Sequence, residues 1–166
     1  DELAFSCKKS GINVLMTANN HTCDRGRKGI LRTLNILDSA KISHTGSFKD
    51  SLDRNQNNLL RINSFIAQPL ICYESIFSAE SLILEEKVDF ILNVSNDGWF
   101  GETLAPYQHL DALVMRSLEN QRYSVRSTNT GISAIISPEG IIEDYVQFNN
   151  TGIINRKIFS RNGNTP

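Results

Sequence analysis

One of the three cysteines stands where a nucleophile could act. The stretch LICYESIF (70–77) places Cys72 at the end of an apolar run, and the carboxylate of Glu74 follows two positions later. The thiolate is the reactive form of cysteine, and acyl chemistry at such a sulfur also needs donors for the developing oxyanion. A sharp turn after a parallel strand would supply exposure and backbone N–H groups together. The alternative is a small buried residue in a strand, because free cysteine commonly fills cores.

The composition describes an ordinary globular chain. The sequence has 166 residues, of which 40% are hydrophobic and 21% charged, and its net charge is −1. These values are typical of a folded domain and give no electrostatic footprint for nucleic acid. No apolar run approaches the roughly 18 residues that span a bilayer, and no signal-peptide pattern opens the chain. The cysteines form no CxxC pair, which argues against a disulfide scaffold or a zinc site.

The elements that must position Cys72 follow from local patterns. Over the first third of the chain, these patterns predict a helix, a strand, a helix and a strand in the ranges 2–10, 12–18, 28–40 and 42–48. The polar stretch KDSLDRNQNN (49–58) then predicts a loop. We therefore expect a domain boundary near residue 60.

The pattern resumes after this boundary. Strands are predicted over 65–74, 88–95, 123–129, 132–140 and 141–146, and helices over 78–87 and 107–121. In the long helix, apolar spacing predicts one buried face from Leu110, Leu113, Val114 and Leu118. Alternating strands and helices followed by a β-meander favour an α/β layered domain.

Three motifs in the second half resemble a known family. They are ICYESIF, NVSNDGWFG and QHLDALVMRSLENQRYSVRSTNTGISAIISPEG, all within residues 64–158. Together they resemble the carbon-nitrogen hydrolase (nitrilase) superfamily and, within it, the apolipoprotein N-acyltransferase family. The resemblance implies a four-layer α-β-β-α sandwich. The predicted fold class is therefore α/β: a short α-β-α-β fragment (1–60), a partial nitrilase-type sandwich (61–160) and a tail (161–166).

The resemblance also implies roles for individual residues. Cys72 would take an acyl chain from a phospholipid ester as a thioester, and Glu74 would orient or polarise the site. The acyl chain would then pass to the N-terminal amine of a lipoprotein, without any cofactor. Asn96, Asp97 and Trp99 would border the substrate pocket, and Arg116, Glu119 and Arg126 would be buried charged residues around the long helix and the strand that follows it. The location implied is the bacterial inner membrane, with the catalytic domain on the periplasmic side.

Several of these residues have structural alternatives. Glu74 could form a salt bridge with a nearby arginine, and Trp99 and Phe100 could anchor their loop. The segment RSTNTG (126–131) could be a strand end and turn whose polar side chains satisfy backbone groups. For His109 we expect a structural or capping role rather than that of a base.

The family's site also implies a general-base glutamate and an oxyanion-binding lysine upstream of the cysteine. The corresponding region, TANNHTCDRGRKG (17–29), lacks the family's Pro-Phe-Gly-Glu stretch. Glu2 is the only glutamate upstream of Cys72, and neither it nor any upstream lysine matches the family's motifs. We therefore expect little or no activity from this chain alone.

Residues 13–48 resemble a different family. ANNHTCDRG, a following helix and ISHTG are similar to the poly-gamma-glutamate capsule-biosynthesis proteins, whose fold is of the calcineurin-like metallophosphatase type. The resemblance implies a divalent-metal role for Asn20 and His21, although Asn20 and Asp24 could instead cap a loop. Four interpretations stay open: an acyltransferase, a nitrilase-type amidase, a metal-dependent capsule-type protein, and an inactive fragment produced by fusion, truncation or mis-assembly.

Overall fold

A computed structural model describes residues 2–17, 24–48, 59–83, 87–161 and 163. The chain divides into two compact units, Asp1–Ser64 and Phe65–Pro166. The division lies close to the domain boundary expected from composition. The relationship of residues 1–60 to a capsule-biosynthesis family stays a prediction, and the predicted loop 49–58 lies outside the described residues.

The first unit alternates helices and strands in the predicted α-β-α-β order. Its elements are α1 (Glu2–Lys9), β1 (Val14–Met16), α2 (Gly26–Ser39), β2 (Ser43–Thr45) and β3 (Leu60–Ile62). Strands β1 and β2 pair in parallel, with α2 between them in the chain. A small apolar cluster holds the helices in place and consists of Ala4, Leu37, Ala40 and Ile42.

The second unit contains the sequence that carries Cys72. Its elements are β4 (Phe65–Ile71), α3 (Ser78–Ser81), β5 (Phe90–Ser95), α4 (Ala105–Asn120), β6 (Tyr123–Thr128), β7 (Ser133–Ile136) and β8 (Ile142–Val146). The 3-10 helix Cys72–Ile76 follows β4 directly, and a second one, Asp97–Phe100, follows β5 after Asn96. The strand order within this unit is β4-β5-β6-β7-β8. The first three strands run parallel, and the β6-β7-β8 meander is antiparallel.

The parallel strands bring their carboxyl ends to one edge of the sheet. Asn93 of the central strand β5 is in register with Leu70 of β4 on one side and with Arg126 of β6 on the other. The chain leaves these strands at Cys72, Asn96 and Asn129. The three exits are therefore neighbours, and this edge is where open α/β sheets commonly bind ligands.

Helix α4 buries a face that differs from the predicted one. Leu110 and Leu113 are buried as expected, but Val114 is only half-buried and Leu118 is 37% exposed. The rest of the buried face consists largely of polar residues: His109, Arg116, Ser117 and Asn120. Apolar spacing missed these residues because each finds at least one hydrogen-bond partner inside the unit, which lowers the penalty for burying a polar group.

Candidate active site

Cys72 lies where β4 gives way to the 3-10 helix Cys72–Ile76. The predicted strand over 65–74 thus ends at Ile71, so Cys72 is outside the sheet. The residue has a φ of +51°, in the left-handed region that costs an L-residue with a side chain about 1–2 kcal/mol. Its thiol is free and half-buried, not enclosed in the apolar core. A strained backbone that presents a thiol at a strand end suits a nucleophile.

The carbonyl oxygen of Cys72 is held by donors from three elements. Ser75 Oγ lies 3.2 Å away within the 3-10 helix, Asn93 Nδ2 donates from β5 over 3.4 Å, and His109 Nε2 lies 3.0 Å away on α4. Each such hydrogen bond contributes about 0.5–1.5 kcal/mol net, so together they can offset the cost of the left-handed turn. These contacts fix the peptide that follows the thiol.

Behind this carbonyl lies a polar network closed to solvent. Arg126 Nη2 donates to Asp97 Oδ2 over 2.7 Å, and Asp97 Oδ1 lies 3.0 Å from His109 Nδ1. Arg126 Nη1 donates to Asn93 Oδ1 and, over 3.3 Å, to Ser95 Oγ. The side chains of the Asp97, His109 and Arg126 ion pairs are at most 1% exposed. This network connects the end of β5, the middle of β6 and the second turn of α4.

The charges of this network stabilise one another. Burial raises the pKa of Asp97, but the hydrogen bond with His109 and the positive charge of Arg126 outweigh it, so this pKa lies below its ordinary value. Burial lowers the pKa of Arg126, while the Asp97 carboxylate and, more weakly, a thiolate at Cys72 act in the opposite direction. The guanidinium and the carboxylate therefore form a buried ion pair within the network behind Cys72.

The RSTNTG segment closes the site around Asp97. Asn129 Oδ1 accepts a hydrogen bond from the Asp97 backbone N–H over 3.1 Å, and Asn129 Nδ2 donates to Asn96 Oδ1 over 2.7 Å. A Cβ atom at Gly131 would lie 2.0 Å from Asp97 Oδ2, so only glycine lets the chain pass this carboxylate. The alternative interpretation of this segment, a strand end and turn that satisfies backbone groups, agrees with these contacts.

Glu74 supports the same turn from the other side. Its Oε2 accepts a hydrogen bond from the backbone N–H of Ile71 over 2.7 Å, immediately before Cys72. Arg116 pairs with Glu119 over 2.7 Å and approaches the carbonyl of Ile76, the last residue of the 3-10 helix, over 3.4 Å. Glu74 and Arg116 thus contact the backbone at the two ends of the short helix that Cys72 opens. The side chain of Glu119 is 40% exposed, so the prediction that this charge is buried is wrong.

The predicted substrate-binding residues have different surroundings. Asn96 is exposed and accepts from the Gly98 N–H, whereas Asp97 is fully enclosed by its partners. Trp99 is 75% exposed, so it does not anchor its loop by burial. Phe100 packs edge-on against His109, with 5.7 Å between ring centroids. Substrate contact by Asn96 or Trp99 stays a prediction, and the enclosure of Asp97 favours a supporting role.

His109, Asn93 and Ser75 belong to the site although sequence reasoning did not assign them to it. His109 is the fifth residue of α4, so it is buried within the helix and does not cap it. A usable signal was the spacing of seven residues between His109 and Arg116, which places both on one side of a helix with Leu113. Asn93 likewise interrupts the apolar run of a buried strand.

The sequence also predicts two metal ligands, Asn20 and His21, and no apolar run long enough to span a membrane. Asn20 and His21 lie outside the described residues. Within the residues that the structure describes, no three His, Cys, Asp or Glu side chains are grouped so that they could hold a metal ion. No helix in this same part of the chain has the length and apolar character required to cross a bilayer.

Comparison with known proteins identifies the class. The Carbon-nitrogen hydrolase family matches residues 39–160, and this chain belongs to that family. The match begins inside the segment 1–60. Apolipoprotein N-acyltransferase of Bradyrhizobium diazoefficiens is 53% identical over 74 residues, which are 45% of this chain and 14% of that protein. The same enzyme of Wigglesworthia glossinidia brevipalpis is 40% identical over 112 residues, 66% of this chain and 22% of that protein.

The chain therefore spans 14% and 22% of the length of these two relatives.

Solved structures show the fold. The NitN amidase from Nesterenkonia sp. AN1 matches with a TM-score of 0.51 and 12% identity, over 89% of this chain and 80% of that chain. A second amidase structure from Nesterenkonia sp. gives a TM-score of 0.50 and 12% identity, over 89% of this chain and 78% of that chain. The predicted nitrilase-type α/β fold is confirmed.

Proposed function

We propose that Cys72 is the acyl-accepting nucleophile of a site of the apolipoprotein N-acyltransferase type. The observation that carries the proposal is the left-handed turn at Cys72, which presents a half-buried thiol at the carboxyl end of a parallel strand. Identities of 53% and 40% to acyltransferases favour acyl transfer over amide hydrolysis. The likeness to amidases concerns the fold alone.

The proposed reaction has two steps. In the first, the Cys72 thiolate attacks the ester carbonyl carbon of a phospholipid; a C–S bond forms, the ester C–O bond breaks, and the leaving alkoxide takes up a proton. In the second, the N-terminal amine of a lipoprotein attacks the thioester carbonyl carbon; a C–N bond forms, the C–S bond breaks, and the amine releases a proton. Sulfur leaves as the thiolate, so Cys72 returns to its starting state without redox chemistry.

The surrounding residues have distinct roles in this proposal. Glu74 positions the turn through Ile71, and Arg126 orders the polar network behind the Cys72 carbonyl. Asn96 and Trp99 are the residues we assign to the border of the acyl pocket. The general-base glutamate and oxyanion lysine implied by the family have no motif match in this chain. The activity to test is therefore a single acylation of Cys72.

The proposal extends to partners and location. The acyl donor is a phospholipid and the acceptor is a lipoprotein amine, and the catalytic domain would face the periplasm at the inner membrane. A divalent metal at Asn20 and His21 is a separate prediction, which metal analysis of the purified chain tests directly. A stoichiometric metal that disappears in the His21→Ala variant would support it, and a metal-free chain after reconstitution would reject it.

The test of the proposed function is thioester formation. The purified chain is incubated with the p-nitrophenyl ester of a medium-chain fatty acid, and its intact mass is measured before and after treatment with neutral hydroxylamine. One hydroxylamine-sensitive acyl adduct is expected, absent in Cys72→Ala and retained in Cys7→Ala, a matched change of another half-buried free cysteine. An adduct that persists in Cys72→Ala would reject the proposal. Faster reaction with the corresponding amide would favour the amidase alternative.

A further inference from the structure

We infer that His109 is a positioning residue that sets the conformation of the Cys72 turn, and that Arg126 orients it for this task. The inference rests on the proposed function of Cys72. The contact that carries it is the one between His109 Nε2 and the carbonyl oxygen of Cys72, at 3.0 Å. Through this contact, a buried side chain of α4 reaches the backbone of the nucleophile.

The chemistry of the two atoms fixes the direction of this hydrogen bond. A carbonyl oxygen only accepts, so Nε2 must carry the proton. Ser75 Oγ, 3.1 Å from Nε2, agrees with this direction, because its hydroxyl can donate to the same carbonyl and accept from the Nε2–H. The other ring nitrogen, Nδ1, faces Asp97 Oδ1 at 3.0 Å and Arg126 Nη2 at 3.2 Å. The ring is therefore held at both nitrogens, with one of them committed to Cys72.

Arg126 connects two of the donors that meet at the Cys72 carbonyl. Its Nη2 binds Asp97, which contacts His109, and its Nη1 binds Oδ1 of Asn93. Fixing Oδ1 leaves the Asn93 amide nitrogen directed at the carbonyls of Leu70, at 2.9 Å, and Cys72. One guanidinium therefore orients both an imidazole and an amide toward the same oxygen. If His109 positions the turn, loss of the Nε2 contact should lower the reactivity of Cys72 more than loss of the Nδ1 contact does.

A pair of variants separates the two ring nitrogens. In His109→Gln, the longer amide can place its nitrogen near the position of Nε2 and keep a donor for Cys72. In His109→Asn, the shorter amide can keep a group near Nδ1, opposite Asp97, and loses the donor. The measured quantities are the rate of Cys72 alkylation by iodoacetamide, the rate of acylation by the p-nitrophenyl ester, and the thermal midpoint. If the role of His109 were merely structural, the alkylation and acylation rates of each variant would fall only in proportion to the fall in its thermal midpoint.

We expect both Cys72 rates to fall about tenfold in His109→Asn, because misplacing a reacting group is costly. In His109→Gln the same rates should fall by about threefold or less, which is the scale of one weakened hydrogen bond. Equal rates in the two variants, or a slower His109→Gln, would overturn the inference. If the wild-type chain is alkylated but never acylated, the proposed function fails while the alkylation rates still report on His109.

A second measurement uses the unsubstituted chain, so it does not depend on how the variants fold. Nitrogen-15 NMR of the histidine-labelled protein reports which ring nitrogen of His109 carries a proton. A protonated Nε2 supports the inference. A neutral ring that is protonated at Nδ1 alone would leave Nε2 as an acceptor, and this result would overturn it.

Discussion

Arg126 Nη2 donates to Asp97 Oδ2 over 2.7 Å, and both side chains are shielded from solvent. Asp97 follows β5 and Arg126 lies in β6, so the parallel pairing of these strands brings the two charges together. A buried ion pair adds little net stability, because desolvation of both charges is costly. Removal of one partner is far more costly, since the other charge stays buried without compensation. The site is therefore most sensitive to substitution at this pair.

Arg126→Met should lower the free energy of unfolding by about 3–5 kcal/mol, because it leaves Asp97 unpaired in the interior. Urea denaturation followed by circular dichroism measures this change. The control is Arg161→Met, which removes an ion pair with Glu139 at a site where both side chains are about half exposed; it should cost far less than Arg126→Met, because solvent screens exposed charges. Similar losses in the two variants would show that burial of the Arg126 pair does not govern stability.

Gly131→Ala should destabilise the second unit by about 1–3 kcal/mol, because the added Cβ would lie 2.0 Å from Asp97 Oδ2. The matched control is Gly98→Ala, whose Cβ would come no closer than 3.1 Å to Asn96 Oδ1. Thermal unfolding of the two variants and the wild type makes the comparison. A Gly131→Ala protein as stable as Gly98→Ala would contradict the close approach to Asp97.

Acid should weaken the fold through Asp97. Its folded-state pKa lies below the ordinary value of 3.8, because the contacts with His109 and Arg126 outweigh the opposing effect of burial. The stabilisation is therefore complete well above pH 3.8 and is lost as the pH falls toward the folded-state pKa. Urea midpoints of the wild type should decline over this acid range, and Asp97→Asn should show a flatter profile. Parallel profiles for the two proteins would exclude this role.

Glu74→Ala should slow alkylation of Cys72 more than Glu74→Gln does. The glutamine keeps an oxygen that can accept from the Ile71 N–H, whereas alanine removes the acceptor. Loss of a hydrogen bond to a charged group costs about 1.5–3 kcal/mol, so Glu74→Ala should also unfold at a lower urea concentration. If the two variants lose reactivity equally, the carboxylate acts through its charge and not through the position of the turn.

Much of the fold could be predicted because its signals are local. The β-α alternation and the antiparallel meander follow from patterns spanning a few residues, whereas the strand predicted over 65–74 ends three residues early, at Ile71. Helix α3 shows the limit of such patterns: a helix is predicted over 78–87, and within the described residues of this range it is a single turn, Ser78–Ser81. The prediction of the buried face of α4 was also wrong at Leu118, because apolar spacing cannot show that polar side chains will find buried partners.

By itself, the sequence determined the order of the elements, the family motifs and the candidate nucleophile, since each is encoded in a short stretch of chain. Only the tertiary structure decided that His109 and Asn93 converge on the Cys72 carbonyl and that Arg126 orients both. These contacts join residues 37 and 21 positions apart in the chain. Their geometry depends on strand register and helix packing, which bring distant polar atoms within hydrogen-bond distance and which no local pattern specifies.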